Sequence, residues 1–271
     1  MSFQEGQNVM RCEPYTYAVR EEQTSSVCDW CMIIREKLQF ICSACKMVYY
    51  CSKFCQTNAW HNHHKLECKI LKKSKLKKYC KGLSVDESSI PSEFAKFANS
   101  SKSDLLAATM NHNNNLVLTY SRLMARTILK LYKDFEEGKE QAFVILPNGR
   151  KRSFDDLISH ENQVLQKPQI RQGFEQCYST LREWFGEKLP SREEILDIYA
   201  KVLLNSIDIL ENGILSKGKG LYLDASVIKH SCYPNAKCAE CPSGNGKVKI
   251  LRTLDKVSVN FFISKFLTFN K

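Results

Sequence analysis

The sequence predicts an α+β protein in which a small metal-bound module interrupts a larger fold. Three observations carry that prediction. Between Cys28 and Cys68 seven cysteines and a histidine cluster recur in closely spaced pairs. From about residue 91 to Gly213 apolar residues follow helical spacing, and from Gly218 the period shortens to that of strands.

The cysteine stretch reads C-x2-C, ten residues, C-x2-C, five residues, C-x3-C, and then H-x3-C. Its thiols are Cys28, Cys31, Cys42, Cys45, Cys51, Cys55 and Cys68. Thiolate and imidazole are soft ligands that favour zinc over harder cations, and eight of them suffice for two tetrahedral sites. A disulfide framework would need an oxidising compartment, and no signal peptide precedes the stretch. His61, His63 and His64 crowd one turn. His64 has the spacing that lets one helical turn aim both it and Cys68 at one ion, so it is the expected ligand, with His61 and His63 as alternatives. Spacing leaves both sequential and interleaved pairing open.

The chain of 271 residues, 43% hydrophobic, can bury one sizeable core plus a satellite module. Much of its net charge of +11 is local: between Cys28 and Lys81 twelve Lys and Arg stand against three Asp and Glu. Lys69, Lys72, Lys73, Lys75, Lys77, Lys78 and Lys81 follow the last ligand directly. Such a run attracts acidic partners. Without interleaved aromatics it reads instead as a solvated helix face, leaving at most weak contact with nucleic acid. Thirteen cysteines, an odd number mostly inside the metal pattern, point to a reducing setting, so nucleus and cytoplasm are the expected locations. No apolar run approaches a membrane span.

Along the chain, Val9 to Val19 (VMRCEPYTYAV), broken by Pro14, predicts one or two short strands. Cys12 there is expected to be a small buried side chain. Gly82 to Pro91 reads as a linker. Leu116, Tyr120, Leu123, Met124, Thr127, Leu131, Tyr132 and Phe135 make an amphipathic helix ending at Gly138. Asn111 to Asn115 ahead of it is expected to be a loop. Ala142 to Leu146 with Pro147-Asn148-Gly149 predicts a strand and turn. Ser191 and Glu194 form a capping box ahead of Ile195, Ile198, Val202, Leu203 and Ile209, read as one helix. Leu221–Leu223, Ala236–Glu240 and Lys247–Arg252 read as strands, with a hairpin turn at Pro242–Gly246. Ser226 to Ala236 is a buried turn carrying His, Cys and Asn.

With the Tyr50-Cys51, Cys55-Gln56 and Ala59-Trp60 steps, the ligand stretch resembles the MYND zinc finger, with one extra residue between Cys55 and His64. Sites in that family interleave. The resemblance therefore implies one zinc on Cys28, Cys31, Cys51 and Cys55, and the other on Cys42, Cys45, His64 and Cys68. It also implies binding of proline-containing peptides, with Trp60 as an apolar contact. Further on, Lys229-His230-Ser231-Cys232-Tyr233-Pro234-Asn235 resembles the N-H-S-C-x-P-N motif of SET domains, with Lys229 in place of the first Asn. A MYND finger, a helical stretch and this motif, in that order, resemble the SMYD family of protein-lysine methyltransferases from about Glu5 to Arg252.

That resemblance implies a SET-type knotted β-fold with a helical insert. Its parts would be incomplete SET strands at 1–27, the finger at 28–68, a basic helix and linker at 69–90, the insert at 91–213, a core SET segment at 214–257 and a divergent tail at 258–271. It implies transfer of a methyl group from S-adenosylmethionine to a lysine of a histone or another protein, by a monomer. Since the neutral amine attacks the methyl in line, such an enzyme works by positioning and electrostatics. His230, Asn205, Ser226 and His160 match cofactor-contacting positions. Three departures accompany the match. The family's glycine-rich G-x-G-L segment is absent. Lys229 cannot reproduce the donor and acceptor of an amide and would sit near the positive sulfonium. No tyrosine follows Tyr233, so no catalytic residue is assigned. Cys232, Cys238 and Cys241 offer only three thiols, and no third zinc is expected. The expectation is a chain of methyltransferase lineage without full activity and with weak or absent cofactor binding. The alternative is a non-enzymatic adapter that uses the finger.

Overall fold

Pro14 sets the first division of the chain. The computed structural model describes residues 2–82, 101–161, 165–211, 213–230, 235–240, 247–254, 257–258 and 264–265. It opens with β1 (Ser2–Phe3), β2 (Asn8–Cys12) and β3 (Thr16–Val19). Proline has no amide hydrogen for a ladder, so it separates β2 from β3, and these join different sheets. Cys12 is fully buried beside Tyr222 and Ala225.

The finger follows, with a hairpin of β4 (Phe40–Ile41) and β5 (Tyr49–Tyr50) leading into α1 (Lys53–Ala59). The Ser52 side chain caps α1 by accepting from the Cys55 amide. Trp60–His64 then widens into a π-helical turn, with the Lys65 amide reaching back five residues to the Trp60 carbonyl. A π turn holds one residue more than an α turn, so it absorbs the extra residue between Cys55 and His64. The helix continues as α2 (Lys65–Gly82). Lys69, Lys72 and Lys73 are exposed on it while Ile70 and Leu71 are buried. The remaining linker from residue 83 to Pro91 lies outside the described residues.

The helix α3 (Ser101–Glu136) is central, and its residues 121–128 are buried on every side. It also runs through Asn111–Asn115, which corrects the expected loop there. Asparagine costs only a fraction of a kcal/mol per residue in a helix, a preference that the context of a long helix readily overrides. Gly138, at φ 60°, ends the segment where expected. A hairpin of β6 (Val144–Ile145) and β7 (Lys151–Arg152) turns at Pro147-Asn148-Gly149, with Gly149 at φ 80°.

Next come α4 (Pro168–Phe185) and α5 (Arg192–Asn205). Both bonds of the Ser191–Glu194 capping box form. The helical reading to Gly213 is corrected here, because α5 stops at Asn205 and β8 (Ser206–Glu211) begins. Ile209 fits the helical spacing of α5, but Ile207, Asp208 and Ile209 also alternate as a strand requires, and pairing with β9 (Leu215–Leu221) decides. Asp208 is held there by Lys219 at 3.1 Å and Ser216 at 2.9 Å, both from β9. Thus β9 starts at Leu215 rather than Leu221. At Gly218 it runs so close to β3 that an added Cβ would collide with the Ala18 carbonyl.

The chain continues with β10 (Lys229–His230), β11 (Ala236–Glu240), β12 (Lys249–Thr253), β13 (Val257–Ser258) and β14 (Ser264–Lys265). One sheet is ordered β3-β9-β8 and another β10-β14-β11-β12-β2. The turn expected at Pro242–Gly246 lies outside the described residues. The main core gathers Leu123, Met124 and Ile128 of α3 with Phe174 and Leu181 of α4, Ile195 and Tyr199 of α5, and Leu221 of β9.

Candidate metal centres and the charge junction behind them

The hairpin, α1 and the π turn bring the eight expected ligands into two groups. Cys28, Cys31, Cys51 and Cys55 form one, and Cys42, Cys45, His64 and Cys68 the other, with donor atoms within 4.8 Å of one another in each. In the first, Cys51 Sγ lies 3.6 Å from Cys31 and 3.5 Å from Cys55. In the second, Cys42 and Cys68 are 3.7 Å apart, and Cys45 Sγ is 3.6 Å from His64 Nε2. A disulfide needs about 2.05 Å, whereas donors around tetrahedral zinc lie roughly 3.5–3.8 Å apart. Both spacing and donor chemistry fit zinc in a closed, structural site.

The thiols also need a cation. Cys28 is pulled down to about 5, chiefly by the hydrogen bond from Cys31, whose own thiol that bond and burial push far up. Burial and the nearby Cys42 push Cys45 up as well. Sulfurs this crowded cannot all ionise unless positive charge lies among them.

His63 and His64 separate by partner. The buried ring of His64 turns Nε2 to the thiols and Nδ1 toward Glu67 Oε2, at 3.6 Å. His63 faces away from the thiols, 3.3 Å from Asp29 Oδ2 and stacked on Trp30 at 6.0 Å. Burial and Arg126 push its pKa down to about 4.

Behind both groups lies a charge junction that the sequence reading missed. Asp29 and Glu67 of the finger and Arg122 and Arg126 of α3 are all buried. Arg122 reaches Asp29 at 2.9 Å and Glu67 at 2.7 Å, and Arg126 reaches the same residues at 2.6 and 2.9 Å. Burial alone would raise both carboxyls, but the two guanidinium groups hold them well below the usual carboxylate range. Arg126 also donates to the Tyr17 carbonyl of β3 at 2.6 Å. One readable hint existed, since Arg122 and Arg126 lie four apart within the apolar stretch of α3.

The cofactor candidates occupy other places. Asn205, at the end of α5, donates to the carbonyls of Ile158 at 2.9 Å and Lys201 at 2.7 Å. Ser226 donates to the Leu223 carbonyl at 2.6 Å and accepts from Arg152 Nε at 3.0 Å. His160 is exposed at φ 46°, a left-handed backbone uncommon outside glycine. The backbone of His230 forms β10, and its side chain, like Ser231–Pro234, lies outside what is described. No helix among the described residues is long and apolar enough to cross a membrane.

Comparison with known proteins gives this arrangement a lineage. The MYND finger family model matches residues 28–68. The chain is 27% identical over 260 residues to histone-lysine N-methyltransferase SMYD3 of Homo sapiens, covering 94% of this chain and 48% of that protein. It is 24% identical over 256 residues to histone-lysine N-methyltransferase ASHR1 of Arabidopsis thaliana, covering 94% and 43%. A SET and MYND domain-containing protein of Dictyostelium discoideum is 45% identical over 76 residues, 26% of this chain and 13% of its own. The chain spans about half the length of the curated relatives it matches. The chain thus carries a MYND finger and is similar to SMYD-family proteins along most of its length.

Proposed function

We propose that this chain belongs to an S-adenosylmethionine-dependent protein-lysine N-methyltransferase, with histones or other proteins as substrates, and that these 271 residues alone bind the cofactor weakly. The observation that carries the reading is the alignment along 94% of the chain with a relative named as a histone-lysine N-methyltransferase. Zinc would be held by Cys28, Cys31, Cys51 and Cys55 in one cage and by Cys42, Cys45, His64 and Cys68 in the other, as folding elements. The two larger sheets would be the SET-type scaffold, with α3, α4 and α5 as its helical insert. In sheet order the late strand β14 lies between β10 and β11.

When bound, S-adenosylmethionine supplies a sulfonium methyl group. His230, Asn205, Ser226 and His160 are the proposed contacts. The Asn205 amide hydrogens already serve the Ile158 and Lys201 carbonyls, which leaves its oxygen to accept. Lys229 in the motif places a cation where an amide is expected, and this supports weak affinity. The test is a calorimetric titration with S-adenosylmethionine and a radiolabel transfer assay on histones and cell extract. Weak binding without transfer is expected. Tight binding with transfer that His230→Ala abolishes would overturn the weak-binding part of this reading.

A second reading, adapter function of the finger, has its own support. A cavity of about 260 Å³ beside the second cysteine–histidine group is lined by Ser43, Tyr50, Gln56 and Trp60 among others. Trp60 is 39% exposed, so its ring is available to a proline-containing peptide. Saturable quenching of its fluorescence by such a peptide, lost in Gln56→Ala, would favour this reading, and an unchanged spectrum would dismiss it. Nucleus and cytoplasm remain the proposed locations.

A further inference from the structure

The two carboxylates of the charge junction are lodged inside the ligand motifs. Asp29 lies between Cys28 and Cys31, and Glu67 between His64 and Cys68. Asp29 is 2% exposed and Glu67 0%, a depth at which an unpaired carboxylate is strongly disfavoured. Among the described residues, the guanidinium groups that match them come from α3 and not from the finger. The finger therefore cannot bury its own ligand-bearing turns in this way without that helix.

Each carboxylate has a specific relation to a ligand group. Glu67 stands one helical turn from His64, with Oε2 3.6 Å from a buried Nδ1 that has no hydrogen-bond partner. A histidine that gives Nε2 to a metal carries its proton on Nδ1, and a carboxylate there fixes both tautomer and ring direction. Asp29 shares a short loop with two of the four thiols of the other group. Arg122 Nη2 spans both carboxylates, at 2.9 Å from Asp29 and 3.2 Å from Glu67. Arg126 Nη2 does the same at 2.6 and 2.9 Å, and its Nη1 continues to β3 through the Tyr17 carbonyl. A planar fork suits this bridging, and a lysine would not reproduce it.

We propose that Arg122 and Arg126 are positioning residues for both zinc cages, so that metal binding in the finger and docking of α3 are one coupled equilibrium. This rests on the zinc assignment above. By linkage the coupling is reciprocal: whatever α3 contributes to metal affinity, the metals contribute to the seating of α3 against the finger and β3. Metal loss would then be felt at α3 and β3, well outside the finger.

The test uses the full chain, with cobalt(II) as probe because its absorption separates four-thiolate from three-thiolate–imidazole sites. Affinity is read by chelator competition for wild type, Glu67→Gln, Arg126→Lys and a control, Ile128→Ala, which removes a buried α3 side chain outside the junction. Glu67→Gln is expected to weaken the imidazole-containing site roughly 10- to 100-fold and the other site less. Arg126→Lys is expected to weaken both sites. Ile128→Ala is expected to lower the melting temperature while leaving both affinities within about twofold, because it removes apolar packing and leaves all four charges of the junction in place. In wild type, stripping the metals is expected to speed amide hydrogen exchange at 119–127, and this arm decides if the variants do not fold. Equal weakening by Arg126→Lys and Ile128→Ala, or unchanged α3 protection after stripping, would overturn the coupling alone. Fewer than two metals per wild-type chain would overturn both the zinc assignment and the coupling.

Discussion

The finger and the helical layer of α3, α4 and α5 use the same residue type for opposite purposes. Cysteine dominates the finger core, where Cys28, Cys42, Cys45, Cys55 and Cys68 pack with Leu38, Val48, Tyr50, Ala59 and Leu71. In the helical layer Cys177 is one small apolar side chain among Leu123, Phe174, Leu181 and Ile195. Burial pushes the Cys177 thiol up to about 12, so it stays neutral and inert. In the finger, by contrast, the hydrogen bond from Cys31 pulls Cys28 down to about 5 and pushes Cys31 itself far up. The lesson is that the finger stands by inorganic cross-links and the helical layer by buried area. At the four-charge junction, buried charges of the finger and of α3 match one another directly.

The largest expected effect tests the first half of that contrast. Structural zinc in small modules contributes about 10–16 kcal/mol of apparent folding free energy, so chelation or Cys45→Ser should collapse the finger. Loss of amide dispersion in the NMR spectrum at residues 28–68 is the readout, and a finger that stays dispersed without metal would break the contrast. Pairing can be sharpened in the same region. Cys42→Ala should keep one cobalt site with a four-thiolate spectrum, since Cys28, Cys31, Cys51 and Cys55 remain intact. A three-thiolate–imidazole spectrum would indicate sequential pairing instead.

In the helical layer the expected changes are smaller and blind to metal. Leu181→Ala, at a fully buried position, should cost about 2–5 kcal/mol in chemical denaturation while zinc content holds at wild-type level. A fall in bound zinc would show that the two regions are not supported separately. Smaller again is Ser191→Ala, which removes the α5 cap and should cost about 1 kcal/mol.

A separate, pH-dependent effect concerns Lys247, whose ammonium lies 3.5 Å from the centroid of the Trp30 ring. Burial, with help from Arg126, pushes its pKa down to about 8. A lysine whose folded pKa falls below its unfolded value destabilises the fold while charged. That penalty is full below pH 8 and fades as pH rises toward the ordinary lysine value near 10.4. An NMR titration of isotope-labelled lysines should find one amine with a midpoint near 8, and a midpoint above 10 would contradict its burial.

What the sequence disclosed follows from how far each signal reaches. The ligand spacing was legible because each ligand pair lies within one turn, and the capping box and Gly149 turn for the same local reason. The four-charge junction was not, because Asp29 meets Arg122 and Arg126 only after the chain has run through the whole finger and into α3. The strand β8 was hidden because Ile209 continues the helical spacing of Ile195, Ile198 and Val202, and only pairing with β9 settles its period. Asn111–Asn115 misled in the opposite sense, since a polar tract suggested a loop where a long helix continues. Between His63 and His64 the spacing gave a preference, and the π turn supplies the physical basis for the direction each ring takes.

The two-cage arrangement is tested most directly by the metal content of the freshly reduced chain. Elemental analysis should find two zinc ions per chain, and finding one or none would contradict it.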